Sequence, residues 1–244
     1  MENTESAMKV NTDGVLLGAL MTVRASDRMS LDVGTGTGTI ALMAAQRLSG
    51  LLPDSGITPG SPDDGGNGVR ILAIDIDKPS ADEAARNFSA SPWPSMLESF
   101  HVSLGEFGTM RQCTGFDHIF SNPPYYDMSL TAPDPRRNTA RHTDSLSYRE
   151  LVEFASAHLS PDGILSVILP ADSLLWLTRY AGMYGLYRYR TVKIRTTARK
   201  QPSRAVVEFR MARPADIPPE ELLTIHDGNG YSSEYIALTS DFYI

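Results

Sequence analysis

One cysteine, Cys113, serves the whole 244-residue chain. No internal disulfide can form, and a reducing compartment, the cytoplasm, is the expected location. Long apolar runs are missing as well. The best candidate, Val15 to Val23, is less than half of the ~20 residues a membrane helix needs and contains two small residues, Gly18 and Ala19. The opening residues, MENTESAMKV, lack the basic-then-apolar pattern of a secretory leader, so no membrane partner is expected. Histidines are few, and His101, His118, His142, His158 and His226 show no metal-ligand spacing. No metal is assigned to them. Basic charge is outnumbered, 22 Lys and Arg against 29 Asp and Glu, for a net charge of −7. Taken as an average, that balance argues against a nucleic-acid partner. The charge is unevenly spread: residues 1–130 hold 8 basic and 16 acidic side chains, residues 131–244 hold 14 and 13. Leu186 to Val207 carries seven basic residues and no acidic one. Net charge governs solubility, whereas a local cluster points to a partner.

What is present is an alternation of short apolar strands and amphipathic helices. Strands are expected at 29–33, 69–75, 99–104, 116–121 and 163–170, and helices at 13–25, 39–49, 79–88, 148–159 and 173–184. Thr12 or Asp13 is the expected cap of the first helix. Two longer alternating stretches follow, 186–196 and 204–212, joined by a Lys/Pro-bearing turn at 199–202. Strand–helix alternation implies a mainly parallel, doubly wound α/β sheet, here finished by an antiparallel hairpin. One domain is expected over 1–244, with Gly/Pro/Asp/Ser-rich residues 50–68 as a mobile surface loop and 127–146 as a polar loop.

Two features point to a nucleoside-containing ligand. "LDVGTGTGTIALMAA" is a strand, a glycine loop and a helix start; glycine lets backbone approach a ligand, and the helix N-terminus offers free N–H groups. The spacing is G-x-G-x-G (Gly34, Gly36, Gly38) rather than the G-x-G-x-x-G of dinucleotide enzymes. Asp75, closing the next strand in "ILAIDID", can accept both hydroxyls of a ribose, while Asp77 is better placed to cap the following helix. Asp32, Gly34, Gly36, Gly38, Asp75 and Ile76 are therefore candidate cofactor contacts. They do not choose between NAD and S-adenosylmethionine.

The choice comes from "FDHIFSNPPYYD", residues 116–127. Pro123 and Pro124 fix two φ angles and remove two donors, and Asn122 before a proline is held extended. The exocyclic amine of a planar ring is a poor nucleophile, because its lone pair is delocalised. Two acceptors on its N–H groups favour the tetrahedral geometry that frees the pair. The Asn122 side-chain oxygen and the Pro123 carbonyl are such acceptors, and Tyr125 offers a ring for stacking, worth ~1–3 kcal/mol per base. No general base is needed before attack, since the proton leaves an already cationic product.

On these motifs the chain resembles the class I S-adenosylmethionine-dependent amino-methyltransferases. More narrowly, "MKVNTDG", "ARHTDSL" and "EYIALTSDFY" are similar to segments of the bacterial tRNA1(Val) adenine-37 N6-methyltransferases. The resemblance covers nearly all the chain except 50–68. It implies a Rossmann-like, seven-stranded methyltransferase fold whose last strand is antiparallel. It implies S-adenosyl-L-methionine as cofactor and tRNA as partner, with Asn122, Pro123 and Tyr125 catalytic. Lys9 and Thr12 match the segment near the methionine end of the cofactor. Where many methyltransferases carry an Asp that reads the cofactor adenine, this chain has Ser103-Leu104-Gly105, and Ser103 is the expected substitute. Pro124, Tyr126, Arg136, Arg137, Arg141 and His142 are expected on the substrate side of the turn. The hairpin residues Arg195, Arg199, Lys200 and Arg204 are expected on RNA phosphates. The same N-P-P-Y turn also serves ribosomal-RNA guanine and protein-glutamine methyltransferases; the basic hairpin favours RNA over protein.

Overall fold

The computed structural model describes residues 1–6, 10–52, 68–110, 115–124, 146–216 and 218–242. Lys9, Tyr125, Tyr126, Arg136, Arg137, Arg141 and His142 lie outside these residues, as do most of the 50–68 and 127–146 loops. In chain order the elements are α1 (Thr12–Leu20), β1 (Met29–Val33), α2 (Thr39–Leu51), β2 (Arg70–Asp75), α3 (Lys78–Ser89), β3 (Leu97–His101), α4 (Leu104–Thr109) and β4 (Phe116–Ser121). Then come α5 (Tyr148–His158), β5 (Leu159–Pro170), α6 (Leu174–Met183), β6 (Tyr187–Thr197), β7 (Arg204–Arg210), β8 (Glu220–Asp227), β9 (Gly230–Tyr231) and α7 (Ser233–Thr239).

The sheet runs β3-β2-β1-β4-β5-β7-β6-β8-β9. β1 to β5 are parallel neighbours, and β7 inserts antiparallel between β5 and β6. The expected hairpin is therefore present. The expected count of seven strands is corrected to nine among the described residues: β8 pairs parallel to β6, and short β9 folds back on β8. No described helix is long and apolar enough to cross a membrane.

Strand alternation divides the core into two layers. On one face Ile71, Ala73, Phe120, Ile168, Val192 and Val206 pack with Leu16 and Leu17 of α1, Ala44 and Leu48 of α2, and Phe88 of α3. On the other, Leu31, Val33, Ile119, Val167, Val207 and Phe209 pack with Tyr148 and Phe154 of α5 and Leu177 of α6. Central strands buried on both faces are what a doubly wound parallel sheet requires.

Local chemistry sets the helix starts. Asp77 caps α3 by accepting from Ser80 N, as expected. The cap of α1 is Asn11, whose side chain accepts from Gly14 N at 2.8 Å, rather than Thr12 or Asp13. The third strand ends at His101, because Ser103 and Glu106 form a capping box that starts α4. Gly38 sits at φ +82° where α2 begins, and a Cβ there would lie 2.5 Å from Phe88 Cε1. That helix start admits only glycine.

Candidate active site

Register places the candidate residues. Val33 pairs with Ile74 on one side and with Ser121 on the other. One residue further along, Gly34, Asp75 and Asn122 stand side by side at the carboxyl ends of β1, β2 and β4. Strands lie ≈ 4.8 Å apart, so Asp75 and Asn122 are separated by roughly 10 Å across the sheet. β1 has β2 on one flank and β4 on the other, so the strand order reverses beside it. Open α/β sheets bind ligands at such switch points.

The glycine loop is built around Asp75. Gly34 N and Thr35 N donate to the carbonyl of Ile74, at 2.9 and 3.0 Å, drawing the loop over β2. Gly36 N donates to Asp75 Oδ2 and Asp77 N to Asp75 Oδ1, both at 2.9 Å. These bonds aim the carboxylate and leave lone pairs on both oxygens, while burial raises its pKa above the usual range. Ile76, the next residue, is 46% exposed. An uncovered isoleucine beside a buried carboxylate offers an apolar face to a ligand.

Asp32 lies beneath the loop, fully buried. Its Oδ2 accepts from Thr35 Oγ1 at 2.8 Å and from Ala41 N at 3.2 Å. Its Oδ1 is buried and has no partner among the described residues. Burial is the main cause of a carboxyl pKa pushed up to about 7, with the Asp75 charge adding to it. A buried oxygen without a donor, under a glycine loop, fits a ligand that brings a cationic donor.

Asn122 is 6% exposed and follows Ser121, whose hydroxyl donates to Val33 O at 2.6 Å. Pro123 is buried and Pro124 half-buried. The Asn122 carboxamide nitrogen donates to Asn11 Oδ1 across 3.4 Å. Asn11 went unnoticed as a functional candidate; the only local signal was its place as a cap residue in "VNTDG". Ser103 lies past β3 as expected, but its hydroxyl is engaged with Glu106, at 2.7 Å, in the α4 cap. One cavity of about 450 Å³, lined by Arg47, Gly50, Leu51 and Phe242 among others, lies at the far end of α2. That is about 18 Å along the helix from the glycine loop, so it is not part of this site.

The hairpin requires a correction. Its basic residues are not without acids, because the sheet brings acids to them. Arg188 and Lys193 pair with Glu220, Arg190 with Glu221 and, at 3.9 Å, Glu208, and Arg204 with Asp13 of α1. Arg199 and Lys200 at the turn are exposed. Among the described residues Arg195 donates to neutral acceptors, Thr224 Oγ1 and Ala198 O. The charge that remains unneutralised among the described hairpin residues is thus concentrated at the tip.

Sheet order, glycine loop and paired acid define a class I methyltransferase. The fold is shared with the crystal structure of a predicted O-methyltransferase, protein Atu636 of Agrobacterium tumefaciens, at TM-score 0.64 and 15% identity, covering 94% of this chain and 96% of that one. No family model matches the chain. Curated relatives narrow the class. The tRNA1(Val) (adenine(37)-N6)-methyltransferase of Bacteroides fragilis is 40% identical over 238 residues, 98% of this chain and 92% of its own length. Those of Photobacterium profundum and Flavobacterium johnsoniae are 38% and 35% identical, over 97% and 100% of this chain. The chain belongs to the tRNA1(Val) (adenine(37)-N6)-methyltransferase family.

Proposed function

We propose that this protein methylates N6 of adenine 37 in tRNA1(Val), using S-adenosyl-L-methionine. The observation that carries the reading is the register of three neighbouring strands, which sets Asp75, the glycine loop and Asn122 in one row. Asp75 would hold the ribose, Ile76 the adenine face, and the N–H groups of the Gly34–Gly38 loop and Asp32 the methionine end. Once bound, the cofactor supplies an electrophilic methyl group. Asn122 Oδ1 and the Pro123 carbonyl accept from the two amine hydrogens and turn the nitrogen lone pair toward that methyl. That lone pair would take the methyl that the bound cofactor would supply, and the surplus proton of the methylated amine would pass to solvent. Holding the two reactants in line supplies much of the remaining acceleration.

Incubation with labelled S-adenosylmethionine and total tRNA, followed by nucleoside analysis, tests the reading. N6-methyladenosine confined to tRNA1(Val) supports it. Methylated guanine in ribosomal RNA, or methylglutamine in protein, would move the same chemistry to another substrate.

Two predictions concern the cofactor. Asp75→Ala removes the acceptor for two hydroxyls and the anchor of Gly36 N. S-adenosylmethionine should bind roughly tenfold more weakly, at about 0.5–1.5 kcal/mol net per hydrogen bond. Unchanged calorimetric affinity would remove Asp75 from the site. Asp32 gives a pH dependence. Its raised pKa means that near pH 6 the carboxyl holds a proton, which an incoming ammonium must displace. Affinity should therefore rise with pH, being about tenfold weaker near pH 6 than near pH 8, and level off once Asp32 is ionised beforehand. Calorimetry in two buffers of different ionisation enthalpy should show proton release in the lower range. Asp32→Asn should abolish it, and a wild type that releases no proton there contradicts this role for Asp32.

A further inference from the structure

We infer that Asn11, at the start of α1, is a positioning residue that dictates which way the Asn122 carboxamide faces. A carboxamide looks nearly the same when flipped, so its orientation must be set by its partners. Here a backbone group breaks the tie. Gly14 N–H can only donate, and it points at the Asn11 side chain from 2.8 Å. The Asn11 atom is therefore oxygen. The Asn122 atom facing that oxygen, at 3.4 Å, must be the donor, Nδ2. With Nδ2 turned to α1, Oδ1 is turned the other way, in the orientation an amine-accepting oxygen needs. Were the amide flipped, an NH₂ would meet the amine of the base, donor against donor. The χ2 torsion of asparagine is broad and roughly two-fold, so its own torsion does not prevent that flip. The contact is long, but hydrogen bonds at catalytic groups commonly tighten only in the reacting complex.

For Asn11 to act in this way, α1 must not drift, and the structure fixes both of its ends. Arg204 of β7 binds Asp13 at 3.0 Å in the first turn. At the other end Arg190 of β6 donates to Leu20 O at 2.6 Å, and Arg47 of α2 to Gly18 O and Met21 O, both at 2.8 Å. Those carbonyls are ones a helix C-terminus leaves unpaired, so the arginines complete the helix and tie it to the sheet. Arg204 thereby has a structural task in place of the phosphate contact expected of it.

The inference rests on the proposed reaction, and the test separates the two. Serine caps a helix as well as asparagine, yet its hydroxyl is too short to reach Asn122. Aspartate keeps an oxygen where Asn11 has one. Asn11→Ser should therefore melt at the wild-type temperature, with unchanged cofactor Kd and tRNA KM, but lose roughly three- to tenfold in kcat, the worth of one hydrogen bond. Asn11→Asp should restore most of that rate. In an Asn122→Ala background Asn11→Ser should cost nothing further, because the group it orients is gone. A full-rate Asn11→Ser, an Asn11→Asp as slow as the serine variant, or additive losses in the double variant would each overturn the inference. A wild-type enzyme inactive on tRNA would instead overturn the reaction, and this inference with it.

Discussion

Asn122→Ala should lower kcat about 10²- to 10³-fold and leave S-adenosylmethionine affinity within about twofold, the range found when one preorganised hydrogen-bonding group is removed from a developing charge. The two halves of this expectation come from the same geometry. Asn122 follows β4 and Asp75 ends β2, with β1 between them, so deleting the amide leaves Asp75 and the glycine loop in place. The fold should survive as well. Asn11 Oδ1 still accepts from Gly14 N, and the Ser121 hydroxyl still holds Val33 O. The rate falls because the acceptor matters most when the amine nitrogen becomes tetrahedral and positive, an interaction made in the transition state and weakly in the ground state. Single-turnover assays at saturating tRNA, with cofactor titrations alongside, measure both halves. An alanine variant with the wild-type single-turnover rate would show that Asn122 does not activate the amine. A variant that loses cofactor binding instead would place Asn122 on the wrong side of the cleft.

How much of this arrangement can be read from residue order alone depends on how far apart its parts lie in the chain. The glycine loop, Asp75 and the N-P-P turn were legible, because each is a contiguous signal whose local chemistry names its place: a strand end, then a turn. The parallel order of β1 to β5 followed from strand–helix alternation. The capping box of Ser103 and Glu106 was equally local, and the S-x-x-E spacing marks Ser103 as a helix cap before it marks a ligand contact. The bond from Asn122 to Asn11 joins residues 111 positions apart, and no periodicity announces it. β8 escaped notice for a different reason. "EELLTIHD" begins with two acids, and its first three residues are exposed, so it lacks the apolar run that marked the central strands. Missing β8 also concealed the acids it carries. Glu220 and Glu221 reach Arg188, Arg190 and Lys193 only because β8 pairs with β6. A charge cluster judged along the chain omits whatever the neighbouring strand contributes.

That correction sharpens the remaining expectation, how an acidic protein holds an acidic RNA. Four hairpin cations, Arg188, Arg190, Lys193 and Arg204, already bind carboxylates. Their charge is largely cancelled, and a phosphate would have to displace an existing partner. Arg195, Arg199 and Lys200 are different. The last two are exposed at the turn, and Arg195 is steadied by two neutral oxygens that leave its charge intact. We expect these three to grip phosphates around the anticodon loop, where an unpaired adenine is inexpensive to splay out. Each phosphate neutralised on single-stranded RNA contributes about −0.7 to the slope of log K against log salt, so three contacts give roughly −2. Relative to 1 M salt, that slope amounts to roughly 500-fold in affinity at 50 mM and roughly 30-fold at 200 mM. Replacing Arg195, Arg199 and Lys200 by alanine should remove most of this increment, whatever the RNA sequence, and should flatten the slope by about 2. S-adenosylmethionine affinity should not change, since the glycine loop follows β1 and three strands, β4, β5 and β7, separate it from β6. The internal control is Arg188→Ala, which removes a charge already matched by Glu220 and should leave the slope within about 0.3 of wild type. Fluorescence anisotropy of labelled tRNA from low to high salt reads all three proteins. If the triple variant ran parallel to wild type, the hairpin tip would be a solvated surface with no RNA on it. If Arg188→Ala flattened the line as far as one tip residue does, the pairing with Glu220 would not be what decides which arginines meet the phosphates.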